Sequence, residues 1–346
     1  MDGGHSHGLI DVHSHHYPDV YLDACKRSDS GFDHYYRDDG RLVVLQDGAV
    51  ALAAPQPLPP LEHRIGMMDE AGVDIQVISV SAPNVFRLPD AVRRPLTRDV
   101  NDEFVSLAES AGGRLRVFAS LPLPDVSAAL DELDRVLRRP HVVGVAICTT
   151  IDGHTLDDAR FAPLWEELSR RGTTVFCHPT VACCTDGLRE YALALALDFL
   201  SETTNAVGRL VYSGTFDRFP GIRWIFTHLG GTVPFLVPRF DNYFRQFPEC
   251  RANIERPPSE IMGSLYYDTC TMHAPALRCT IDTFGVDHLV FGSDYPHVPG
   301  GIDRFVTILN SVGLPAGDLA LIGRANAERL LALDGAVPAG DEVVRP

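Results

Sequence analysis

The feature that most constrains the fold is the alternation of strand-like and helix-like segments, repeated eight times along the chain. Each strand-like segment is a short, continuously hydrophobic run, which is typical of parallel strands buried on both faces. These runs are LIDVHSH from Leu9, VDIQVISVS from Val73, RVFASLPL from Arg116, VVGVAICT from Val142, TTVFCHPT from Thr173, IRWIFTHLGG from Ile222, LYYDTC from Leu265 and HLVFGSDYP from His288. Helical patterns such as LEHRIGMMDEAG and FAPLWEELSRRG lie between them, and Gly72, Gly112 and Gly172 close three of these. The alternation predicts an α/β fold, a (β/α)8 TIM barrel, rather than two domains.

Two stretches depart from this alternation. Residues 16–60 fall between the first strand and its helix, and RLVVL, QDG and AVALAA within them predict a hairpin that turns at Asp47 and Gly48. We interpret this stretch as a small flap inserted after strand 1. The segment from Glu190 to Val211 predicts a long apolar helix that lines a pocket or a subunit interface. We therefore expect a single barrel over residues 1–334 and a mobile tail over 335–346, where GAVPAGDEVVRP lacks periodicity.

The charge balance limits the partners of the chain. Lys and Arg together number 30 against 46 Asp and Glu, so the formal net charge is −16. Proteins that bind nucleic acid or anionic membranes carry basic patches, and the sequence has no dense Lys/Arg run, so we expect neither partner. No apolar run reaches the roughly 18 residues of a membrane span. The start MDGGHSHG has no secretion signal and the eight cysteines show no CxxC spacing, so we expect a cytoplasmic protein with reduced cysteines.

Chemically notable side chains stand where four of the predicted strands end. His13 and His15 end the first strand, His178 the fifth, His228 the sixth and Asp294 the eighth. In a parallel barrel these ends meet at the mouth that carries the active site. Because alternate residues of a strand share a face, His13 and His15 can bind one cation together.

Imidazoles combined with one carboxylate suit Zn²⁺ and also accept Mn²⁺ or another divalent transition metal. The predicted ligands are His13, His15, His178 and Asp294. This set leaves a coordination position open for water. His228 is then free to move a proton as the catalytic acid or base, and in a hydrolysis Asp294 would accept the proton of the water. Asp268, at the end of the seventh strand, is expected to hydrogen-bond a ligand histidine.

The ordered set of strand-end residues resembles the pattern of the amidohydrolase superfamily. Its details are similar to the branch that contains decarboxylases and is typified by aminocarboxymuconate semialdehyde decarboxylase. The likeness runs from about Leu9 to Leu331 and includes IDVHSHHYP, HRIGMMDEAGVD, RVFASLPLPD, FCHPT, FPGIRWIFTHLGG, LYYDTC, VFGSDYP and GRANAERLL. The resemblance implies the same barrel, the same four metal ligands and His228 as the acid/base.

The resemblance also implies a homodimer in which Arg239, in VPFLVPRF, reaches the site of the partner subunit. The chain departs from the aminocarboxymuconate enzymes at Leu52, where they carry a substrate-binding arginine, and at Thr180 and Leu195, where they carry aromatic wall residues. These differences argue against aminocarboxymuconate semialdehyde as the substrate.

Further residues near the strand ends are predicted to contact a small-molecule substrate. His297 follows Asp294 in DYPHVPG, and Asn84 follows the second strand together with Ser81. The glycine-rich pieces lack the spacing of nucleotide-binding loops, so we predict no phosphate site.

The leading functional prediction is a metal-dependent, non-oxidative decarboxylase of a small unsaturated or aromatic carboxylic acid. A metal-dependent hydrolase or hydratase, acting on a lactone, an amide or an activated double bond, fits the same ligands and stays open. A non-catalytic, metal-stabilised binding protein would not need an acid/base, and the presence of His228 argues against it.

Overall fold

The barrel is the main body of the computed structural model, which describes residues 8–182, 185–298 and 300–333. Its eight strands are parallel and follow one another around the sheet in chain order. They are β1 (Leu9–His15), β5 (Val73–Ser79), β6 (Leu115–Ser120), β7 (Val142–Cys148), β10 (Thr174–His178), β11 (Arg223–Phe226), β12 (Tyr266–Asp268) and β13 (Leu289–Val290). Seven strands fall within their predicted segments, and β6 begins one residue before its segment, at Leu115. The (β/α)8 prediction is confirmed.

The first and last strands approach each other closely at their carboxyl ends. The amide of Val12 donates to the carbonyl of Phe291 at 2.9 Å, and the amide of His15 donates to the carbonyl of Tyr295 at 2.7 Å. A parallel bridge joins Ser14 to Tyr295. The closure therefore lies beside the strand ends that carry the chemically notable residues.

A bulge in β1 decides which of its side chains face inward. Ile10 and Val12 belong to the inner apolar cluster of the barrel, yet His13 and His15 also lie inside it, against Phe176. Between Asp11 and Ser14 the register with β5 shifts, so that one extra residue is inserted. Such a bulge switches the face on which the following side chains stand. Strict alternation of side chains along β1, which the sequence analysis assumed, would not turn both Ile10 and Val12 and the two histidines inward.

Helices cover the outside of the barrel. They are α1 (Asp19–Lys26), α2 (Leu61–Glu70), α3 (Asp90–Ser110), α4 (Val126–Val136), α5 (Ala162–Arg171), α6 (Phe199–Tyr212), α7 (Thr215–Arg218), α8 (Val233–Gln246), α9 (Pro258–Gly263), α10 (Ala274–Phe284), α11 (Gly301–Ser311), α12 (Ala316–Ala320) and α13 (Asn326–Leu331). Gly172 ends α5 with a φ of 63°, a left-handed conformation that favours glycine. The predicted apolar helix after residue 190 begins only at Ala194, as a π-helical turn that continues into α6.

The predicted flap is a small antiparallel sheet rather than a hairpin alone. Its strands are β2 (Asp33–Tyr36), β3 (Leu42–Gln46) and β4 (Ala49–Ala54), and β3 and β4 are joined by the predicted turn at Asp47 and Gly48. Ala49 and Ala51 pack against Ala194 and Phe199 in a small apolar cluster. The flap therefore packs against the π-helical turn at Ala194 and the start of α6. A two-stranded ribbon, β8 (Thr150–Ile151) and β9 (His154–Thr155), completes the strands that the described residues form.

The cysteines, the C-terminal tail and the absence of a membrane span were also predicted from the sequence. Cys25, Cys148, Cys177 and Cys270 are unpaired and buried, as expected, whereas Cys183 and Cys184 lie outside the described residues. The tail predicted over 335–346 also lies outside them. Within the described parts of the chain, no helix combines the length and hydropathy needed to cross a membrane.

Candidate metal centre

The structure brings the strand-end histidines and Asp294 together at the carboxyl end of the barrel. His13, His178, His228 and Asp294 each offer an atom within 4.8 Å of the others. A second group of the same kind joins His15 and Asp294 to His297. Asp294 belongs to both groups and is the common point of the cluster.

Three of the predicted ligand atoms form a tight triangle. His13 Nε2 and His15 Nε2 lie 3.0 Å apart, and Asp294 Oδ1 lies 3.2 Å from the first and 3.0 Å from the second. Ligands at about 2.0–2.1 Å from a tetrahedral Zn²⁺ stand about 3.3 Å from one another. The triangle therefore has nearly the size that a divalent cation requires.

The other ring nitrogens of these histidines are already occupied. His13 Nδ1 lies 2.6 Å from Asp268 Oδ2, and His15 Nδ1 lies 3.1 Å from Ser79 Oγ. His178 Nδ1 donates to the carbonyl of Pro179 at 2.8 Å. A hydrogen bond at Nδ1 fixes the tautomer and leaves the lone pair on Nε2 for a metal.

Asp294 Oδ1 is buried, and although His13 Nε2 and His15 Nε2 lie close to it, neither makes a hydrogen bond with it, nor does any other described residue. A buried carboxylate oxygen without a partner is costly, and binding to a cation would remove that cost. The donor set, the triangle and this unpaired oxygen all fit a divalent metal ion.

Burial and neighbouring charges set the protonation of the cluster. Burial lowers the pKa of His15 to about 3 and, together with the nearby histidines, holds the pKa of His178 well below its usual range. Burial opposes the charge on His13, but Asp268 and Asp294 raise its pKa well above the ordinary value. Burial also opposes the charge on Asp294, but His13, His15 and His228 hold its pKa well below the ordinary value. The neutral imidazoles of His15 and His178, and the carboxylates that favour a positive charge at His13, together suit a cation.

Asp268 connects the cluster to the barrel wall, with the hydrogen bond to His13 that the sequence led us to expect. Its Oδ1 accepts from the amide of His228 at 2.8 Å and from the amide of Cys270 at 3.0 Å. Gly292 makes room for this arrangement, because a Cβ there would stand 2.8 Å from the Cβ of His13. Asp268 therefore orients His13 and the backbone that carries His228.

His228 stands beside Asp294 and has an unused nitrogen. Its Nε2 lies 3.6 Å from Asp294 Oδ2, and its Nδ1 is buried without a hydrogen-bond partner among the described residues. The residue has a φ of 54°, so a left-handed turn directs it into the cluster. About one seventh of the side chain is exposed, whereas His13 and His15 are fully buried. Of these histidines, His228 is the better placed to exchange protons with a molecule entering the mouth.

Tyr17, which no sequence pattern singled out, is a fully buried residue beside the cluster. Its hydroxyl lies 2.5 Å from Ser81 Oγ and 2.5 Å from His297 Nε2. The His297 ring is 5.3 Å from the His15 ring. A tyrosine that follows the HxH motif by two residues gave no chemical signal of its own, since buried tyrosines are common in cores.

Asn84 and Arg239 are not placed in the cluster. The Asn84 side chain accepts from the amide of Val85 and donates to the carbonyl of Val80, so it binds its own loop. Arg239 is exposed on α8 and its guanidinium donates to Tyr243 Oη at 3.0 Å. Substrate contact by these two residues stays a prediction.

A TIM barrel with histidines and an aspartate gathered at the carboxyl ends of its strands is the arrangement of a metal-dependent barrel enzyme. The chain belongs to the Amidohydrolase family, whose profile matches residues 10–333. The family predicted from the motifs is therefore confirmed.

Named relatives of this chain are decarboxylases. A 6-methylsalicylic acid decarboxylase of Penicillium expansum is 28% identical over 88% of this chain and 90% of its own. A 2-amino-3-carboxymuconate-6-semialdehyde decarboxylase of Dictyostelium discoideum is 26% identical over 83% and 81%. A dihydroxybenzoic acid decarboxylase of a Polaromonas species, solved with manganese and 2-nitroresorcinol, shares the fold with a TM-score of 0.79, 22% identity and coverage of 96% and 99%.

Proposed function

We propose that this chain is a metal-dependent decarboxylase that releases CO₂ from a small aromatic or unsaturated carboxylic acid. The observation that carries the proposal is the histidine–aspartate cluster with His228 beside it, at the mouth of a barrel. The decarboxylases that resemble this chain over most of its length support the choice of reaction.

We propose His13, His15, His178 and Asp294 as the residues that hold the metal. The nitrogen-rich set favours Zn²⁺, and Mn²⁺ is the alternative because a decarboxylase of the same fold contains it. A divalent metal bound there would supply positive charge that fixes an anionic substrate and draws electron density from its ring.

The role that we propose for His228 is proton delivery. When the bond between the ring carbon and the carboxylate breaks, CO₂ leaves and the electron pair stays on the carbon. A proton from the His228 imidazole then forms the new C–H bond, and His228 regains a proton from solvent. The unpaired Nδ1 and the partial exposure of the side chain support this role.

The walls around the cluster favour loss of the charged group. The Phe176 ring lies 5.1 Å from the ring of His13, and the Phe199 ring lies 5.9 Å from that of His178. Phe199 packs in turn against Ala49 and Ala51 of the flap. An apolar, water-poor pocket stabilises neutral CO₂ better than a carboxylate, so these walls assist the reaction.

A substrate panel tests the proposed reaction directly. Ring-hydroxylated benzoic acids, methyl-substituted salicylic acids and muconate-like acids would be incubated with the metal-loaded protein while CO₂ is measured. We expect at least one acid to yield CO₂ and the corresponding decarboxylated product in equal amounts. Turnover of lactones or amides, with no CO₂ from any acid, would instead establish the hydrolase.

We propose that His297 contacts the substrate and that the Tyr17 hydroxyl holds the His297 ring in place. Replacing Tyr17 with phenylalanine removes the hydroxyl that lies within hydrogen-bond distance of His297 and Ser81. Because one hydrogen bond contributes about 0.5–1.5 kcal/mol, we expect KM to rise by about 3- to 10-fold with a smaller change in kcat.

Tyr21→Phe is the matched control for this prediction. Tyr21 is equally buried and stacks on Tyr17, but its hydroxyl donates to the carbonyl of Asn84 at 3.3 Å, away from His297. Equal KM changes in the two variants, or none in Tyr17→Phe, would remove Tyr17 from the substrate site.

We propose that the protein is a homodimer in which Arg239 completes the site of the partner subunit. Phe235, one helical turn before Arg239, is 77% exposed, and aromatic residues are enriched at protein–protein interfaces. Light scattering of the purified protein should give a dimer.

Mixing two inactive variants tests whether the sites are shared. Arg239→Ala would be mixed in equal amounts with Asp294→Asn, whose own site lacks a ligand. In the mixed dimer only the Arg239→Ala subunit has all four ligands, and it receives Arg239 from its partner. We expect about one quarter of the wild-type rate after random exchange. If Arg239 served its own subunit, the mixture would stay at the level of the two separate variants.

We also propose a cytoplasmic location. Unpaired, buried cysteines such as Cys25, Cys148 and Cys177 support it, because reduced thiols are usual in that compartment. Fractionation of cells that produce the protein would test this assignment.

A further inference from the structure

A fully buried carboxylate, Asp11, stands two residues before His13 in β1, next to the candidate metal centre. It is the first acidic residue of β1 and has no exposed surface. Its Oδ1 accepts from the amides of His13 at 3.1 Å and Ser293 at 3.0 Å. Its Oδ2 accepts from Ser293 Oγ at 2.6 Å and from Gln76 Nε2 at 2.8 Å. All of its four hydrogen bonds thus go to β1, β5 and the segment after β13.

A second group of bonds continues from Gln76 to a buried arginine. Gln76 Oε1 accepts from a guanidinium nitrogen of Arg64 at 2.9 Å, so the amide has its NH₂ toward the carboxylate and its carbonyl toward the cation. Arg64 also donates to the carbonyl of His15 at 2.5 Å and lies over the ring of Tyr295, 4.7 Å from its centre. Arg64 belongs to α2 and is only 5% exposed.

These bonds end on the backbone of two proposed ligands, His13 and His15, and on the residue next to a third, Asp294. Asp11 holds the amide of His13, Arg64 holds the carbonyl of His15, and Ser293 immediately precedes Asp294. The amide of Asp294 in turn donates to the carbonyl of His13 at 2.7 Å. The bulge of β1 falls between Asp11 and Ser14, at the place where these bonds converge.

We propose that Asp11, Gln76 and Arg64 act as positioning residues that fix the spacing of the metal-binding side chains on the first and eighth strands. A buried carboxylate with four donors is worth more than a single hydrogen bond in holding two strand ends together. The effect is on geometry, since none of the three residues belongs to either group of potential ligands. The inference rests on the proposed metal centre.

The test is the metal affinity of the folded protein rather than its activity. Asp11→Asn keeps the size of the side chain but replaces one acceptor oxygen with an NH₂ group. Residues that orient metal ligands typically change affinity by about 10- to 100-fold, so we expect the dissociation constant for Mn²⁺ to rise by that factor in a chelator competition. Gln76→Leu, which cuts the connection to Arg64, and Ser293→Ala, which removes one donor to Asp11, should raise it in the same direction.

Asn101→Ala is the matched control, because it disturbs a similar network elsewhere. Asn101 is 1% exposed and connects α3 to the end of β6 through the amide and carbonyl of Ser120. This variant should lose stability in urea and keep the wild-type affinity for Mn²⁺. A role of Asp11 in stability alone would make Asp11→Asn behave in the same way.

The outcomes separate this inference from the proposed function. If the wild-type protein binds no divalent metal, the metal centre itself is wrong. If the wild type binds Mn²⁺ and the folded Asp11, Gln76 and Ser293 variants bind it equally well, the positioning role is wrong and the centre stands. Should Asp11→Asn fail to fold, the other two variants decide the question.

Discussion

Replacing His228 with alanine is expected to lower kcat by about 10²-fold or more, which corresponds to about 2.7 kcal/mol of transition-state stabilisation. The reason is the loss of the imidazole that delivers the proton to the carbon from which CO₂ departs. The protein should keep one equivalent of metal, because the four proposed ligands remain. Metal analysis and CO₂ release on the same preparation measure both quantities.

This prediction separates two roles for His228, because the residue lies within reach of the other donors in the cluster. A variant that loses its metal together with its activity would make His228 a ligand rather than the proton donor. A variant with full metal and an unchanged rate would remove it from the reaction. His63→Ala, at an exposed histidine on α2, is the control and should leave both quantities unchanged.

Replacing Asp294 with asparagine should lower the metal content as well as the rate. The shape of the side chain is retained, but the negative charge that faces His13, His15 and His228 is lost. We expect the metal content to fall well below one equivalent and the rate of CO₂ release to drop by about 10³-fold or more, since a catalytic metal contributes several kcal/mol. Metal analysis after gel filtration, followed by the CO₂ assay, checks the result.

Asp287→Asn is the matched control for the Asp294 variant. Asp287 is exposed and precedes β13, at the opposite end of the same strand, so its change alters the net charge equally without touching the cluster. An Asp294→Asn protein that kept its metal and its rate would show that this carboxylate is neither a ligand nor a catalytic group.

The main features of the fold could be predicted because they depend on patterns that are local in the sequence. Continuous apolar runs identified all eight strands, from Leu9–His15 to Leu289–Val290. Glycine after an amphipathic run marked the end of α5 correctly, at Gly172. The start of α3 at Asp90 is harder to predict from the sequence, because Pro95 lies inside the helix, where a proline usually indicates a break.

The parts of the site that depend on pairing between distant residues could not be predicted from the sequence. The strand-end rule brought His13, His178, His228 and Asp294 to one end of the barrel. The bulge that turns His13 and His15 inward depends on the register between β1 and β5, which alternation alone does not give.

The hydrogen-bond networks that support the site could not be predicted from sequence patterns either. Tyr17 and His297 are 280 positions apart, and Asp11 and Ser293 are 282 apart. Gln76 and Arg64 read as an ordinary strand residue and an ordinary helix residue. Gln76 contacts Arg64 because α2 packs on β5, whereas the contact of Asp11 with Ser293 follows from the closure of the barrel between its first and last strands.

The central claim is that the barrel performs a decarboxylation that depends on a bound metal. The most direct test measures CO₂ release from an active acid before chelation, after chelation, and after the return of one equivalent of Zn²⁺ or Mn²⁺. The rate should fall to background with the metal removed and return when the metal is restored. An undiminished rate with less than about a tenth of an equivalent of any divalent metal remaining would contradict the claim.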